Sequence, residues 1–195
     1  MKTERELQVR EQEQKTLGHE IEHKVGEFIT GSFDCVVGIE KTANHGINDK
    51  KGIDMVVEFE NGNKMAIDVT SDVGARVNEK IKSMRRRLLV SIAQEKNNEG
   101  QITVEKSEEL VPRALIRADS YRWEEYNIER INDEIIVYMP DKIRVQEEKD
   151  ILQQLVRQID YFSKEDMGYK NKTSGIKEML KTELQELEKI EKEFN

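Results

Sequence analysis

Asp54 and Asp68 stand on either side of Asn61-Gly62-Asn63, a strong hairpin turn signal. The runs 53–60 and 64–70 read as its two strands, so the start of the first and the end of the second return to each other. Ile53, Met55, Val57 and Phe59 alternate with Asp54, Val56 and Glu58. Met65, Ile67 and Val69 alternate with Lys64, Ala66, Asp68 and Thr70. Both aspartates therefore stand apart from the most apolar face of their strands. Two carboxylates held close repel unless a cation joins them, and hard oxygen donors of this kind suit Mg²⁺ or Mn²⁺. The bland alternative is that they mark the wet ends of an exposed hairpin.

The elements that must position this pair follow from periodicity. Residues 3–30 read as one helix, charged in its first half and amphipathic in its second, where Leu17, Ile21, Val25 and Phe28 recur at helical spacing. Residues 33–39 read as a buried strand, and 44–52 as a polar loop. A long helix is expected over 74–97, with Val77, Ile81, Met84, Leu88 and Ile92 as its buried stripe. Its other faces carry Arg76, Lys80, Lys82, Arg85, Arg86 and Arg87. Residues 114–116 read as a strand, 121–130 as a short helix and 134–139 as a strand ended by Pro140. Two helices follow, joined by a loop over 166–175. This order gives an α/β class with a central mixed sheet flanked by helices. The chain divides into a charged helical extension (1–15), a core (16–140) and a helical C-terminal extension (141–195) that packs on the core or makes a homodimer.

Helix, strand, Gly52-Ile53-Asp54 at the head of a hairpin, Ile67-Asp68-Val69-Thr70 at its end, then a basic helix: this order resembles the PD-(D/E)XK nuclease superfamily, which includes restriction endonucleases and Holliday-junction resolvases. The resemblance covers about residues 16–93 by motif and reaches Met139 by element order. It implies a restriction-endonuclease-like core and Mg²⁺- or Mn²⁺-dependent cleavage of nucleic-acid phosphodiesters, with DNA the first expected substrate. It assigns Asp54 and Asp68 as catalytic and metal-binding residues, with the Val69 carbonyl completing the metal shell. It also implies a glutamate on the first helix. Glu22, between Gly18 and Gly26, is the preferred match, and Glu27 the second. The family's lysine is replaced by Thr70, so its charge is expected from Lys80 or Lys82, unless the chain binds without cutting. Lys80, Arg85, Arg86 and Arg87 are expected to meet backbone phosphates, which gives salt-sensitive binding with little sequence preference, or else the arginines make a solvated helix face. Tyr121, Trp123 and Tyr126 either stack on bases or, as the commoner use, pack the short helix onto the sheet.

A rival motif overlaps the first helix. His19-Glu20-Ile21-Glu22-His23 fits H-E-x-x-H, with His45 the other histidine available as a third zinc ligand. Glu22 and Lys24 make that helix too polar for a dry zinc site. A third reading is non-catalytic, with the terminal helices used for docking a partner.

Bulk properties narrow the classes further. Net charge is −8, so any nucleic-acid contact must be a local patch, within the roughly 8 Å reach that screening leaves each charge. No apolar run reaches membrane-spanning length, and the N-terminus is charged from the start, which predicts a cytoplasmic chain without a membrane partner. The lone Cys35 sits in an apolar run and reads as a core residue in a reducing compartment.

Overall fold

The computed structural model describes residues 4–42, 52–71, 75–98, 101–132 and 134–194. In chain order these form α1 (Glu4–Ser32), β1 (Val36–Lys41), β2 (Met55–Phe59), β3 (Lys64–Thr70), α2 (Ala75–Arg85), β4 (Leu89–Asn98), β5 (Gln101–Arg117), α3 (Ser120–Glu125), β6 (Asn127–Ile131), β7 (Glu134–Tyr138), α4 (Asp141–Phe162) and α5 (Met167–Glu193). The class is α/β, as the element order implies. One mixed sheet runs β1-β2-β3-β5-β4, with β3 and β5 parallel and the other pairs antiparallel; β6 and β7 make a separate hairpin.

Strand alternation sorts the sheet into two faces. Met55, Val57, Phe59, Met65, Ile67, Val69, Ala114 and Ile116 enter the main core, where they meet Ile21, Val25, Phe28 and Ile29 of α1. Ile53, Val56, Ala66, Val90, Ile92 and Val111 form a smaller cluster on the opposite face. The C-terminal helices belong to the main core: Ile151, Leu155, Ile159, Ile176, Leu180 and Leu187 are buried within the chain. The apolar side of the C-terminal extension, read above as core packing or a homodimer surface, is thus mostly internal, although Ile190 and Phe194 at its end are exposed. No described helix is long and apolar enough to cross a membrane.

Four segment expectations are corrected. The long helix over 74–97 stops at Arg85, and Leu89–Asn98 is a strand paired with β5. Leu88 and Ile92 satisfy a helical stripe, but Leu88, Val90 and Ile92 also alternate, and β-branched Val90 and Ile92 favour the strand. The strand foreseen at 114–116 extends over Gln101–Arg117. The short helix ends at Glu125, and Asn127–Ile131 becomes β6. The loop foreseen at 166–175 is the start of α5: the Asp166 carboxylate accepts the Tyr169 N–H at 2.7 Å as an N-cap, and Tyr169 and Thr173 continue the buried stripe. The polar loop expected at 44–52 lies outside the described residues except for Gly52.

Two polar devices tie the C-terminal helices to the sheet. Glu183 of α5 accepts the backbone N–H groups of Asp34 at 3.0 Å and Cys35 at 3.3 Å, satisfying the turn between α1 and β1. Beyond Pro112, β5 has left its last pairing with β4, and α4 takes over that edge. Gln158 accepts from the Leu115 N–H at 2.9 Å and donates to the Leu115 carbonyl. One turn earlier, Gln154 does the same for Arg117, at 2.8 and 3.2 Å. Cys35 is buried, as expected, and burial together with Glu183 pushes its thiol well above the usual range.

α1 approaches β7 closely at Gly31, where an added Cβ would lie 2.9 Å from Ile135 Cγ2. Gly31→Ala is therefore expected to lower stability by about 1–3 kcal/mol, more than the helix-propensity gain returns. Urea unfolding of Gly31→Ala, Ile135→Ala and the double variant checks this: the double variant should lose less than the sum of the two single losses.

Candidate active site

The hairpin brings its two aspartates together, as its turn predicts. Met55 pairs with Ile67, so the next residues outward are Asp54 and Asp68, and the Asp54 N–H donates to the Ile67 carbonyl at 2.9 Å. Asp54 and Asp68 lie on the sheet face shared by Val56 and Ala66. Gly52, at φ +68°, turns the chain away from the ladder just before Asp54, which leaves the β2-facing edge of β3 without a backbone partner at Val69, while its other edge stays paired with β5. The Asp54 side chain fills that role: its Oδ2 accepts the Val69 N–H at 2.6 Å. In an antiparallel strand the carbonyl leaves on the same edge as the N–H, so the Val69 carbonyl also faces this side.

Asp68 is buried and doubly paired. Lys80 Nζ of α2 lies 3.3 Å from its Oδ1, and Arg113 Nη2 of β5 lies 3.2 Å from its Oδ2. Burial raises its pKa, against the pull of Lys80 and Arg113. Burial also pushes Asp54 up to about 7, helped by the charges of Asp68 and Glu22 and opposed by the Val69 N–H and Lys80. Glu22 flanks the pair from α1. Burial raises its pKa too; the neighbouring His19, at 3.1 Å, and Lys80 draw it down, and Asp68 adds to the rise. Three carboxyl groups thus face two fixed cations, Lys80 and Arg113. The imbalance leaves the site short of positive charge unless it takes up a proton or a cation.

Of the two helix glutamates, only Glu22 belongs here. Glu27 is buried in a separate ionic network: Lys41 binds one oxygen, and Arg130 donates to the other from Nε at 3.1 Å and Nη2 at 2.9 Å. Burial pushes Glu27 up, but these cations outweigh it and hold its carboxyl below the usual range. The two glycines that bracket Glu22 differ in their surroundings. An added Cβ at Gly18 meets nothing within 4 Å, whereas at Gly26 it meets Lys41 Cε at 3.3 Å and Met55 Cε at 3.5 Å, away from the carboxylates.

The basic residues divide. Lys80 reaches the acidic pair. Lys82 is exposed, and two residues further along a helix turn it by about 200°, away from the pair. Arg85 is engaged elsewhere, on Glu165 at 2.6 Å and over the Tyr161 ring at 4.9 Å, where it fastens α2 to the α4–α5 corner. Arg86 and Arg87 are exposed. Thr70 shares the face of Asp68 and is buried, its carbonyl accepting the Ala118 N–H at 2.9 Å. Trp123 is buried edge-on against Phe28 and Tyr126, with ring centroids 5.4 and 5.5 Å away, so packing is its role. Tyr121 is 82 % exposed.

Arg113 was missed from sequence, because a lone arginine in a strand read as only 114–116 carries no signal. Its place depends on β5 running parallel to β3, where Arg113 lies opposite Ala66 on the face of Asp68. The zinc reading gains no support: His19 and His23 are both exposed, His19 pairs with Glu22, and His45 lies outside the described residues. Among the described residues, no three His, Cys, Asp or Glu side chains form a group that could hold a metal ion. The oxygen-rich pair Asp54 and Asp68, with the Val69 carbonyl on the same edge, suits a hard divalent cation that completes its shell with water or substrate oxygens. No family model, curated protein or solved structure matches the chain.

Proposed function

We propose that this chain is a divalent-metal-dependent phosphodiesterase acting on nucleic acid, with a PD-(D/E)XK-like site whose lysine has moved from the hairpin to α2. The observation that carries this reading is the meeting of Asp54, Asp68 and Lys80, with Glu22 beside them. Asp54, Asp68 and the Val69 carbonyl would hold Mg²⁺ or Mn²⁺. When bound, such an ion makes water more acidic and stabilises charge on phosphate oxygens. The chain's own residues do the rest. Asp54 and Asp68 are fixed by β2 and β3, Lys80 supplies the positive charge that Thr70 lacks, and exposed Arg86 and Arg87 on the turn after α2 offer contacts to backbone phosphates. Glu22, whose carboxyl is raised by burial, is placed to exchange a proton beside the pair.

Incubation with plasmid, single-stranded DNA and RNA, with Mn²⁺, Mg²⁺ or EDTA, tests the reading. Metal-dependent cutting that Asp68→Ala abolishes supports it, and no cutting of any substrate refutes it. Lys80→Met is expected to slow cutting by about 100-fold or more while leaving Mn²⁺ affinity within a few fold, because a transition-state charge contact is worth about 3 kcal/mol. Single-turnover rates and Mn²⁺ titration separate the two.

A second reading, a non-catalytic nucleic-acid-binding member of the same fold, is favoured by one feature: both oxygens of Asp68 are already paired with cations. It predicts salt-sensitive binding without metal dependence, measurable by fluorescence anisotropy at two ionic strengths.

A further inference from the structure

We infer that Arg113 is a positioning residue of this acidic site, one that joins Gly52 to Asp68 and so sets Asp54 against Asp68. The inference rests on reading Asp54 and Asp68 as the site. A single nitrogen, Nη2, donates both to the Gly52 carbonyl at 2.6 Å and to Asp68 Oδ2 at 3.2 Å. Gly52 begins the three-residue segment that delivers Asp54, and Asp68 is the neighbour against which Asp54 must be held. One guanidinium therefore fastens the two sides of the pair, at the Asp68 carboxylate and the Gly52 carbonyl.

The arginine is itself immobilised at its backbone. Its N–H donates to the Leu88 carbonyl at 2.9 Å, and its carbonyl accepts the Tyr169 hydroxyl at 3.0 Å. Its side chain is buried, and its Nε has no hydrogen-bond partner among the described residues. A buried guanidinium with an unsatisfied donor is a weak source of stability, so its geometry is the more informative property. Gly52 shows the same contact from the other side. It sits at φ +68°, and an added Cβ would stand 2.9 Å from Arg113 Nη2 and 3.7 Å from Asp68 Oδ2. The backbone comes this close to the guanidinium only because no side chain intervenes. The other charged groups around Asp68 are Lys80 from α2, Asp54 from the hairpin and Glu22 from α1. Of these, only Lys80 makes a described hydrogen bond to it, and none bridges Asp68 to Gly52.

Arg113→Lys keeps the charge but replaces a planar fork with a point charge of shorter reach, so it is the informative variant. Two measurements are made on the full-length protein: Mn²⁺ affinity by electron paramagnetic resonance, and amide exchange without metal at Asp54, whose N–H bonds Ile67, and at Thr42, whose N–H bonds the Asp54 carbonyl. In Arg113→Lys, Mn²⁺ is expected to bind about ten-fold more weakly, and the Asp54 and Thr42 amides to exchange about ten-fold faster, equivalent to about 1.4 kcal/mol of local order. The rest of the sheet keeps its exchange rates. Gly52→Ala should reproduce both effects, and the double variant should add little, because both changes break one contact.

Unchanged Asp54 exchange and Mn²⁺ affinity in Arg113→Lys and Gly52→Ala would overturn the inference. So would acceleration spread evenly over all strands, which would assign Arg113 to general stability. If the wild-type protein binds no Mn²⁺, the phosphodiesterase reading fails by itself, and exchange at Asp54 and Thr42 still decides whether Arg113 holds the segment.

Discussion

Asp54→Asn is expected to make the protein more stable at pH 8 while removing the Mn²⁺ binding and cleavage proposed above. The amide has nearly the shape of the carboxylate, and its oxygen can still accept the Val69 N–H that Asp54 Oδ2 accepts at 2.6 Å. What disappears is a charge that folding disfavours. The Asp54 carboxyl is raised from 3.8 to about 7, by burial first and by Asp68 and Glu22 after it. The folded chain therefore binds the proton more tightly than the unfolded chain does. Stability contributed by the protonated form is intact below about pH 4, declines as pH rises, and is gone above about pH 7. Removing that cost should return roughly 1–3 kcal/mol at pH 8, less than the full shift because Asp68 titrates with it. Thermal melts of both proteins from pH 4 to 8 check this: the wild-type curve should fall across the window, and the Asp54→Asn curve should fall less. A variant that is more stable and inert would mark Asp54 as a residue held at the expense of stability for a task. A variant less stable at pH 8 would mean that the carboxylate serves as a structural acceptor.

Trp123→Ala carries the largest expected loss of stability, about 3–5 kcal/mol. The indole is almost wholly enclosed, edge-on to Phe28 of α1 and to Tyr126. Nearby, Lys24 of α1 donates to the carbonyls of Trp123 and Glu124, both at 3.1 Å, so α3 is fastened to α1 by packing and by charge. α1 carries Glu22, so the loss should reach the site as well as the core. Urea unfolding measures the first effect. Under the proposed function, the second is a weaker dependence of metal-dependent cleavage on Glu22, read by comparing Glu22→Gln in the two backgrounds. Trp123→Phe, which keeps the ring–ring contact but loses volume, should recover more than half of the stability.

The parts of the fold that are legible from sequence are those set by local chemistry. Asn61-Gly62-Asn63 fixes the hairpin, and alternation on either side places Asp54 beside Asp68 without long-range information. The helical reading near Lys80 is also local, and it places that lysine after the hairpin. The misreadings begin where two periodicities coincide, as at Leu88 and Ile92, which suit either a helix or a strand until the pairing of Leu89 with Pro112 and of Val90 with Val111 decides. Arg113 was invisible for the same reason: its role needs a parallel strand delivered from beyond α2 and β4. Arg85 and Glu27 show the opposite failure. Their types suit a phosphate contact and a catalytic acid, but Glu165 and Tyr161 hold the first, and Lys41 and Arg130 the second. Nothing in local sequence marks a charge as already engaged.

The glutamine pair on α4 has a consequence for the order of events when the chain is made. Gln158 and Gln154 supply the partners of Leu115 and Arg117 from 43 and 37 residues later in the sequence. Until they have been synthesised and α4 has docked, the end of β5 just past Arg113, from Leu115 to Arg117, presents a bare edge, the kind of surface on which nascent chains pair wrongly. The acidic site therefore matures late, because the strand that delivers Arg113 is closed by a helix that emerges after every residue of the site.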